Sequence, residues 1–176
     1  MKVITLVTAL LFVVILFLYP KWHILKNDTK SKNIHHKRLA EIAIQSLPSK
    51  DVPVAAILIY NNKIIGEGFN TVNKDSNAAG HAEINAISNA MKHIGIKQFK
   101  NLNRESLSLI TTYEPCLMCR GALLEYNIQN VKFLKEKPYS FNLCEDARQL
   151  LYFWRREKTG RAALQDSLFR LHPDFP

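Results

Sequence analysis

The stretch Glu114-Pro115-Cys116-Leu117-Met118-Cys119, read with His81-Ala82-Glu83 upstream of it, decides how this 176-residue chain folds. Each motif follows an apolar or β-branched run and begins an amphipathic segment, so each marks a strand-to-helix junction. Cys116 and Cys119 stand one helical turn apart, directly after a proline that has no N–H to leave unsatisfied and suits a helix start. First-turn N–H groups and the helix dipole favour thiolates at such a place. The imidazole of His81 and these two thiolates supply three ligands of a tetrahedral zinc ion. An open fourth position marks a catalytic site, because structural zinc sites are normally closed by four protein ligands. Glu83, two residues beyond the histidine, is placed to carry protons without binding the metal.

The two motifs differ in weight. His-x-Glu alone is a weak signal in a chain with six histidines, whereas Pro-Cys-x-x-Cys is rare in one with only three cysteines. Simpler readings stand beside the zinc site: Cys116 and Cys119 as small buried residues, and Glu83 as a helix-start acid held by the dipole. A structural site closed by Cys144 is a further alternative, although Cys144 is expected in the core. The odd cysteine count and the one-turn spacing argue against a disulfide.

His-x-Glu followed by Pro-Cys-x-x-Cys resembles the signature of zinc-dependent nucleobase deaminases. Within the cytidine/deoxycytidylate deaminase-like superfamily, the chain looks closest to the branch of tRNA adenosine deaminases and guanine deaminase. The resemblance runs from about His35 to Leu134 and includes Val52–Leu58, Gly66-Glu67-Gly68-Phe69-Asn70, His81–Ile87 and Glu114–Cys119. Histidine rather than cysteine at 81 sets the chain apart from the small tetrameric cytidine deaminases. The resemblance implies one catalytic Zn2+ on His81, Cys116 and Cys119. It implies that zinc-activated hydroxide attacks the ring carbon bearing the exocyclic amine while Glu83 moves protons and ammonia leaves. It implies substrate contacts from the Asn70 side chain and the Ala82 backbone N–H, a nucleobase substrate that is free, in a nucleoside or nucleotide, or in tRNA, and a homodimer. Asn70 also reads as a turn asparagine at a strand end. Arg120 stands where tRNA-acting members tend to have a small residue, which weakens the tRNA reading. A zinc protein of this fold that binds nucleic acid or a partner without turnover is the competing reading, and Glu83 weighs against it.

Around the motifs, Leu39, Ile42, Ala43 and Leu47 form a helical stripe that Pro48 terminates. Val52–Tyr60 and Lys63–Phe69 read as a hairpin about Asn61-Asn62. A helix over His81–Lys92, a buried strand over Ser106–Tyr113, a helix over Cys116–Asn127 and a strand over Asn130–Lys135 follow. This alternation predicts the α/β class, a sheet covered by helices. The resemblance sharpens it to a three-layer αβα sandwich around a mixed sheet. After Pro138 a helix over Asn142–Arg156 is expected, with no convincing fifth strand. Tyr152, Phe153, Trp154, Phe169 and Phe175 read as core packing, or else as a cover for the site or an oligomer interface. No P-loop, dinucleotide fingerprint or internal repeat is present.

Three divisions emerge: an anchor over 1–20, a basic linker over 21–34 and a deaminase domain over 35–176. No charged residue lies between Lys2 and Lys21, and Val3–Tyr19 is apolar apart from Thr5 and Thr8. As a helix this run spans about 25 Å, short but sufficient for one pass. A cleaved signal is disfavoured because no small-x-small site follows. Lys21, Lys26, Lys30, Lys32, Lys37 and Arg38 place the domain on the cytoplasmic side of the membrane, where free thiols persist. The formal charge of +9 suits RNA, anionic headgroups or phosphorylated substrates. Juxtamembrane basic residues explain much of it. The later basic residues Lys132, Lys135, Lys137, Arg155, Arg156, Lys158 and Arg161 read as a nucleic-acid groove or as solvated helix faces.

Overall fold

The computed structural model describes residues 35–155, residue 165 and residues 168–170. The expected anchor and linker lie outside these, as does part of the chain beyond 155. No helix among the described residues is long and apolar enough to cross a membrane.

Alternating apolar residues build a sheet that is buried on both faces. Strand β1 (Ala55–Tyr60) forms a hairpin with β2 (Lys63–Phe69), and its other edge pairs antiparallel with β3 (Leu107–Tyr113). Asn61 and Asn62 make the turn at φ 47° and 63°, both positive as a type I′ turn requires. Strand β4 (Asn130–Lys135) runs parallel to β3 and completes a mixed sheet of order β2-β1-β3-β4. Side chains one apart along a strand point to opposite faces. Ala55, Ile57 and Ile59 therefore join Ile110 under helix α1 (His36–Ile44), which contributes Leu39, Ile42 and Ala43. Ala56, Leu58, Leu107 and Leu109 face the other way, against Ala82, Ala86 and Ala90 of α2 (Ala82–Ile94) and Leu123 of α4 (Leu117–Glu125). Phe99, from the short helix α3 (Ile96–Lys100), closes that second core. Helices thus cover both faces of the sheet.

The closest helix–sheet contact rests on small residues. A Cβ on Gly66 would stand 2.3 Å from the Ala86 carbonyl oxygen, and one on Gly68 would stand 2.4 Å from that of Ala82. Only glycine on the strand and alanine on the helix allow α2 to lie this close, and α2 brings the site with it.

Several expectations need correcting. Strand β1 starts at Ala55, not Val52, because Pro53 cannot donate to a ladder and Val54 N–H turns back to the Val52 carbonyl at 2.8 Å. Leu47 is 52% exposed and falls outside the buried stripe, since α1 ends at Ile44. Helix α5 (Tyr139–Arg155) begins three residues before the expected start, and among the described residues the sheet has four strands. Cys144 lies exposed on α5 rather than in a core, because the adjacent Glu145 takes the inward position. Tyr152 is 65% exposed, so core packing does not account for it.

Candidate active site

Strand directions gather the site at one end of the sheet. β1 runs opposite to β2 and β3, and β4 runs with β3. The carboxyl ends of β2, β3 and β4 therefore meet the loop that enters β1, the place where open α/β sheets take ligands. Asn70 follows β2, Tyr113 and Glu114 end or follow β3, and Lys137 follows β4. The N-termini of α2 and α4 point to the same place.

His81 and Cys116 are the N-cap residues of α2 and α4, both with extended backbone (φ −76°, ψ 150° and φ −74°, ψ 173°). The sequence placed both inside their helices; a side chain at the cap instead projects off the helix end toward the other cap. Cys119 follows one turn into α4. His81 Nδ1 lies 3.5 Å from Cys116 Sγ and 3.6 Å from Cys119 Sγ, and the two sulfurs are 3.6 Å apart. These edges fit a single ion. Zn–S of about 2.3 Å and Zn–N of about 2.05 Å at tetrahedral angles require S···S of about 3.8 Å and S···N of about 3.6 Å. Among the described residues these three form the one such cluster, and Cys144 is not part of it.

The two sulfurs are hydrogen-bonded to each other, and this bond is the main reason the Cys116 thiol is pulled down to about 5. Cys119 is pushed far up, by the same bond and then by burial. Glu83 is 4% exposed, and burial holds its carboxyl above the usual range. Its Oε2 stands 3.4 Å from Cys119 Sγ, as hydrogen-bond acceptor.

A cavity of about 400 Å³ lies against this cluster, within the roughly 300–1,000 Å³ of small-molecule sites. Asn70, Ala82 and Glu83 line it together with His81 and Cys116. The Oδ1 of Asn70 is buried and has no partner among the described residues, an unfilled acceptor in a residue of the cavity wall. Ala82 sits in the first turn of α2, where the helix leaves N–H groups free.

Other residues hold the walls. Asp51 is buried and accepts from the Asn73 N–H at 2.7 Å, the Lys74 N–H at 3.1 Å and the Ser49 hydroxyl at 2.7 Å. Burial works to raise its carboxyl, but these bonds, that from Asn73 foremost, hold it below the usual range. The Asn85 amide donates to the Phe69 carbonyl at 2.8 Å and the Thr71 hydroxyl at 3.0 Å, tying α2 to the loop after β2. Glu114 accepts from the Lys137 N–H at 2.8 Å. Sequence reading passed over Asp51 and Asn85, since their partners lie in loops with no periodic pattern. Arg120 pairs with Glu145 of α5 at 2.8 Å. Lys132, Lys135 and Arg155 are exposed, while Lys137 lines the cavity. Arg156, Lys158 and Arg161 lie outside the described residues.

Residues 29–135 match the family described as cytidine and deoxycytidylate deaminase zinc-binding region. The chain is 36% identical over 108 residues to the tRNA-specific adenosine deaminase subunit tad2 of Schizosaccharomyces pombe, covering 61% of this chain and 26% of that one. It is 36% identical over 95 residues to a tRNA-specific adenosine deaminase of Buchnera aphidicola, covering 51% and 60%. It therefore spans less than two thirds of either relative. Among solved structures, the guanine deaminase of Bacillus subtilis superposes with a TM-score of 0.55 at 25% identity, covering 74% of this chain and 81% of that one. A tRNA deaminase of the wobble position superposes at 0.53 and 26% identity, covering 61% and 80%. With a family match over residues 29–135 and a three-donor cluster fit for zinc inside that span, the chain belongs to the cytidine and deoxycytidylate deaminase zinc-binding family.

Proposed function

We propose that this protein is a zinc-dependent hydrolase that replaces the exocyclic amine of a nucleobase by a carbonyl oxygen and releases ammonia. The observation that carries this is the three-donor cluster beside a cavity into which a buried glutamate and an unpaired asparagine acceptor also face. Zinc in this donor set acidifies water and so supplies a nucleophile near neutral pH. Glu83 would take one proton from the attacking water and give it to the ring nitrogen beside the reacting carbon, then take the remaining hydroxyl proton as the carbonyl forms and give it to the departing amine. Its burial suits the task, because a carboxylate that binds protons more tightly than usual is a better proton acceptor. Asn70 Oδ1 accepts an N–H from the base, and the Ala82 N–H donates to it. The reaction balances as amine plus water giving carbonyl plus ammonia.

Relatives that act on tRNA adenosine and a neighbour that acts on guanine support a purine substrate, free or in RNA. Residues 3–19 support tethering to a membrane with the domain, read as residues 35–176, on the cytoplasmic side. Met118 and Leu124, both exposed on α4, suit a homodimer contact. Ammonia release by the zinc-loaded full chain tests the activity over adenine, guanine, cytosine, their nucleosides and nucleotides, and an anticodon stem-loop, with Glu83→Ala as control. Release from one substrate that the control abolishes is expected; silence across the panel with zinc bound overturns the reading.

A further inference from the structure

One side chain brackets Asn70 from both sides. The Asn85 amide, on α2, donates to the Phe69 carbonyl at 2.8 Å and to the Thr71 hydroxyl at 3.0 Å, and these are the two neighbours of Asn70 in the chain. The same nitrogen lies 3.3 Å from the carbonyl of Gly80, the residue before His81. An amide NH2 carries two hydrogens, so three acceptors share all that it can donate. The Asn85 backbone N–H donates to the His81 carbonyl at 2.9 Å. Asn85 is thus bonded to His81 through its main chain and to both neighbours of Asn70 through its side chain.

The loop 71–80 between Asn70 and His81 is closed at the same point. The Thr71 N–H donates to the Gly80 carbonyl at 2.7 Å, and the Thr71 hydroxyl donates to the same oxygen at 3.5 Å. A Cβ on Gly80 would stand 2.8 Å from the Thr71 hydroxyl oxygen, so only glycine lets the two ends meet this closely. Thr71 and Gly80 are both buried, where water does not replace a lost partner. Asp51 holds the middle of this loop through the Asn73 and Lys74 N–H groups; Asn85 holds its ends. Asn85 is absent from the lining of the cavity beside the zinc donors, and it lines a second one, of about 360 Å³, with Phe69, Thr71 and Asn89. It therefore acts on a bound base through the residues it holds and not by touch.

We propose that Asn85 is a positioning residue: by holding both neighbours of Asn70, it fixes the Asn70 acceptor in the cavity wall relative to His81. This rests on the deaminase reading of the same cavity, in which Asn70 Oδ1 accepts an N–H from the base. Asn89 supplies an internal comparison. One turn further along α2, its amide donates to the Glu67 carbonyl at 2.9 Å, a helix-to-strand bond of the same kind that is made to neither neighbour of Asn70.

Two measurements on the zinc-loaded full chain test this. The first is amide hydrogen exchange with no ligand present. Asn85→Leu keeps the side-chain size but not the donors, and it should speed exchange at the Asn70 and Thr71 N–H groups about tenfold. Asn89→Leu should leave both unchanged. The second is equilibrium binding of adenine, guanine, cytosine and their nucleosides in a Glu83→Ala background, which lacks the proton carrier. For the base that binds, Asn85→Leu should weaken affinity about tenfold, the scale of one lost hydrogen bond, with zinc retained by metal analysis. In an Asn70→Ala background the same change should have no further effect on affinity, as action through Asn70 requires. Thr71→Val removes the hydroxyl between Asn85 and Gly80; it should shift both readouts the same way, and it carries the test if Asn85→Leu does not fold. Equal exchange in the Asn85 and Asn89 variants overturns the proposal, as does an affinity loss that persists in the Asn70→Ala background or accompanies loss of zinc. Faster exchange in a protein that binds no base would remove the deaminase reading alone, whereas base affinity that Asn85→Leu leaves unchanged would remove this inference alone.

Discussion

Glu83 shows how a side chain suited to chemistry weakens the fold that holds it. Burial raises its affinity for protons, so in the metal-free protein the native state binds more protons than the unfolded chain. The contribution of Glu83 to stability is then fully present below the ordinary carboxylate range and is lost as pH rises through the raised value. Glu83→Gln, which cannot ionise, is expected to melt higher than the parent at neutral pH in the metal-free form and to lose the difference in acid. The same variant should bind zinc and lose roughly 10²–10⁴ of its turnover, the usual contribution of a positioned acid–base group; calorimetric melting and ammonia release measure the two effects. Asp51 has the opposite sign. Its carboxyl is held below the usual range, so its contribution is present above the unfolded value and disappears as pH falls through the folded one. Melts of parent and Asp51→Asn should differ at neutral pH and converge as pH falls below the ordinary carboxylate range. Cys116→Ser or Cys119→Ser should leave less than one zinc per chain by metal analysis, since a hydroxyl is a poor replacement for a thiolate ligand.

Between elements, the decisive contact is α2 on β2. Gly68→Ala would set a methyl group 2.4 Å from the Ala82 carbonyl oxygen and the Ala86 nitrogen, and both belong to helix backbone, which cannot turn aside. Overpacking of this kind costs about 1–3 kcal/mol. Because α2 carries His81 at its cap and Glu83 in its first turn, the variant should lower the denaturation midpoint and weaken zinc binding together. A mutation in the opposite core, such as Ile57→Ala under α1, should cost about 2–5 kcal/mol of stability while leaving zinc affinity nearly unchanged in whatever fraction remains folded. The two helix caps that hold the ligands were legible to within a residue. The outward turn of those caps was not, because a cap is defined by backbone angles that only the packed helix imposes.

For the molecule as a whole, the site belongs to no single segment. Loops after β2, β3 and β4 and the caps of two helices contribute, so the cavity exists only when the sheet is complete. Zinc that binds this folded arrangement more tightly than the unfolded chain stabilises it, and a ligand held at about 100 times its Kd does so by up to about 2.7 kcal/mol. Removing it with a chelator should lower the melting temperature by several degrees, and the shift should vanish in Cys119→Ser. Helix α5 is tied to this assembly through Glu145, which pairs with both Arg120 and Lys137, although sequence reading took Arg120 only as a departure from the tRNA-acting relatives.

What the sequence determined by itself was local and chemical. Period-two apolar runs placed four strands, the glycine- and proline-bounded stripes placed the main helices, and the rare Pro-Cys-x-x-Cys beside His-x-Glu pointed to the metal, to the three donors that cluster and to the glutamate buried beside them. These are decided by residue type and by spacing within one or two turns, which a linear chain displays. Tertiary structure alone decided that Lys137 lines the cavity while Lys132 and Lys135 lie exposed, that Asp51 reaches across to residues 73 and 74, and that Cys144 faces outward while Glu145 faces in. Each of these outcomes depends on which groups from distant segments meet. The order of strands in the sheet and the close approach of α2 to two glycines set those meetings, and a pattern read along the chain cannot express them.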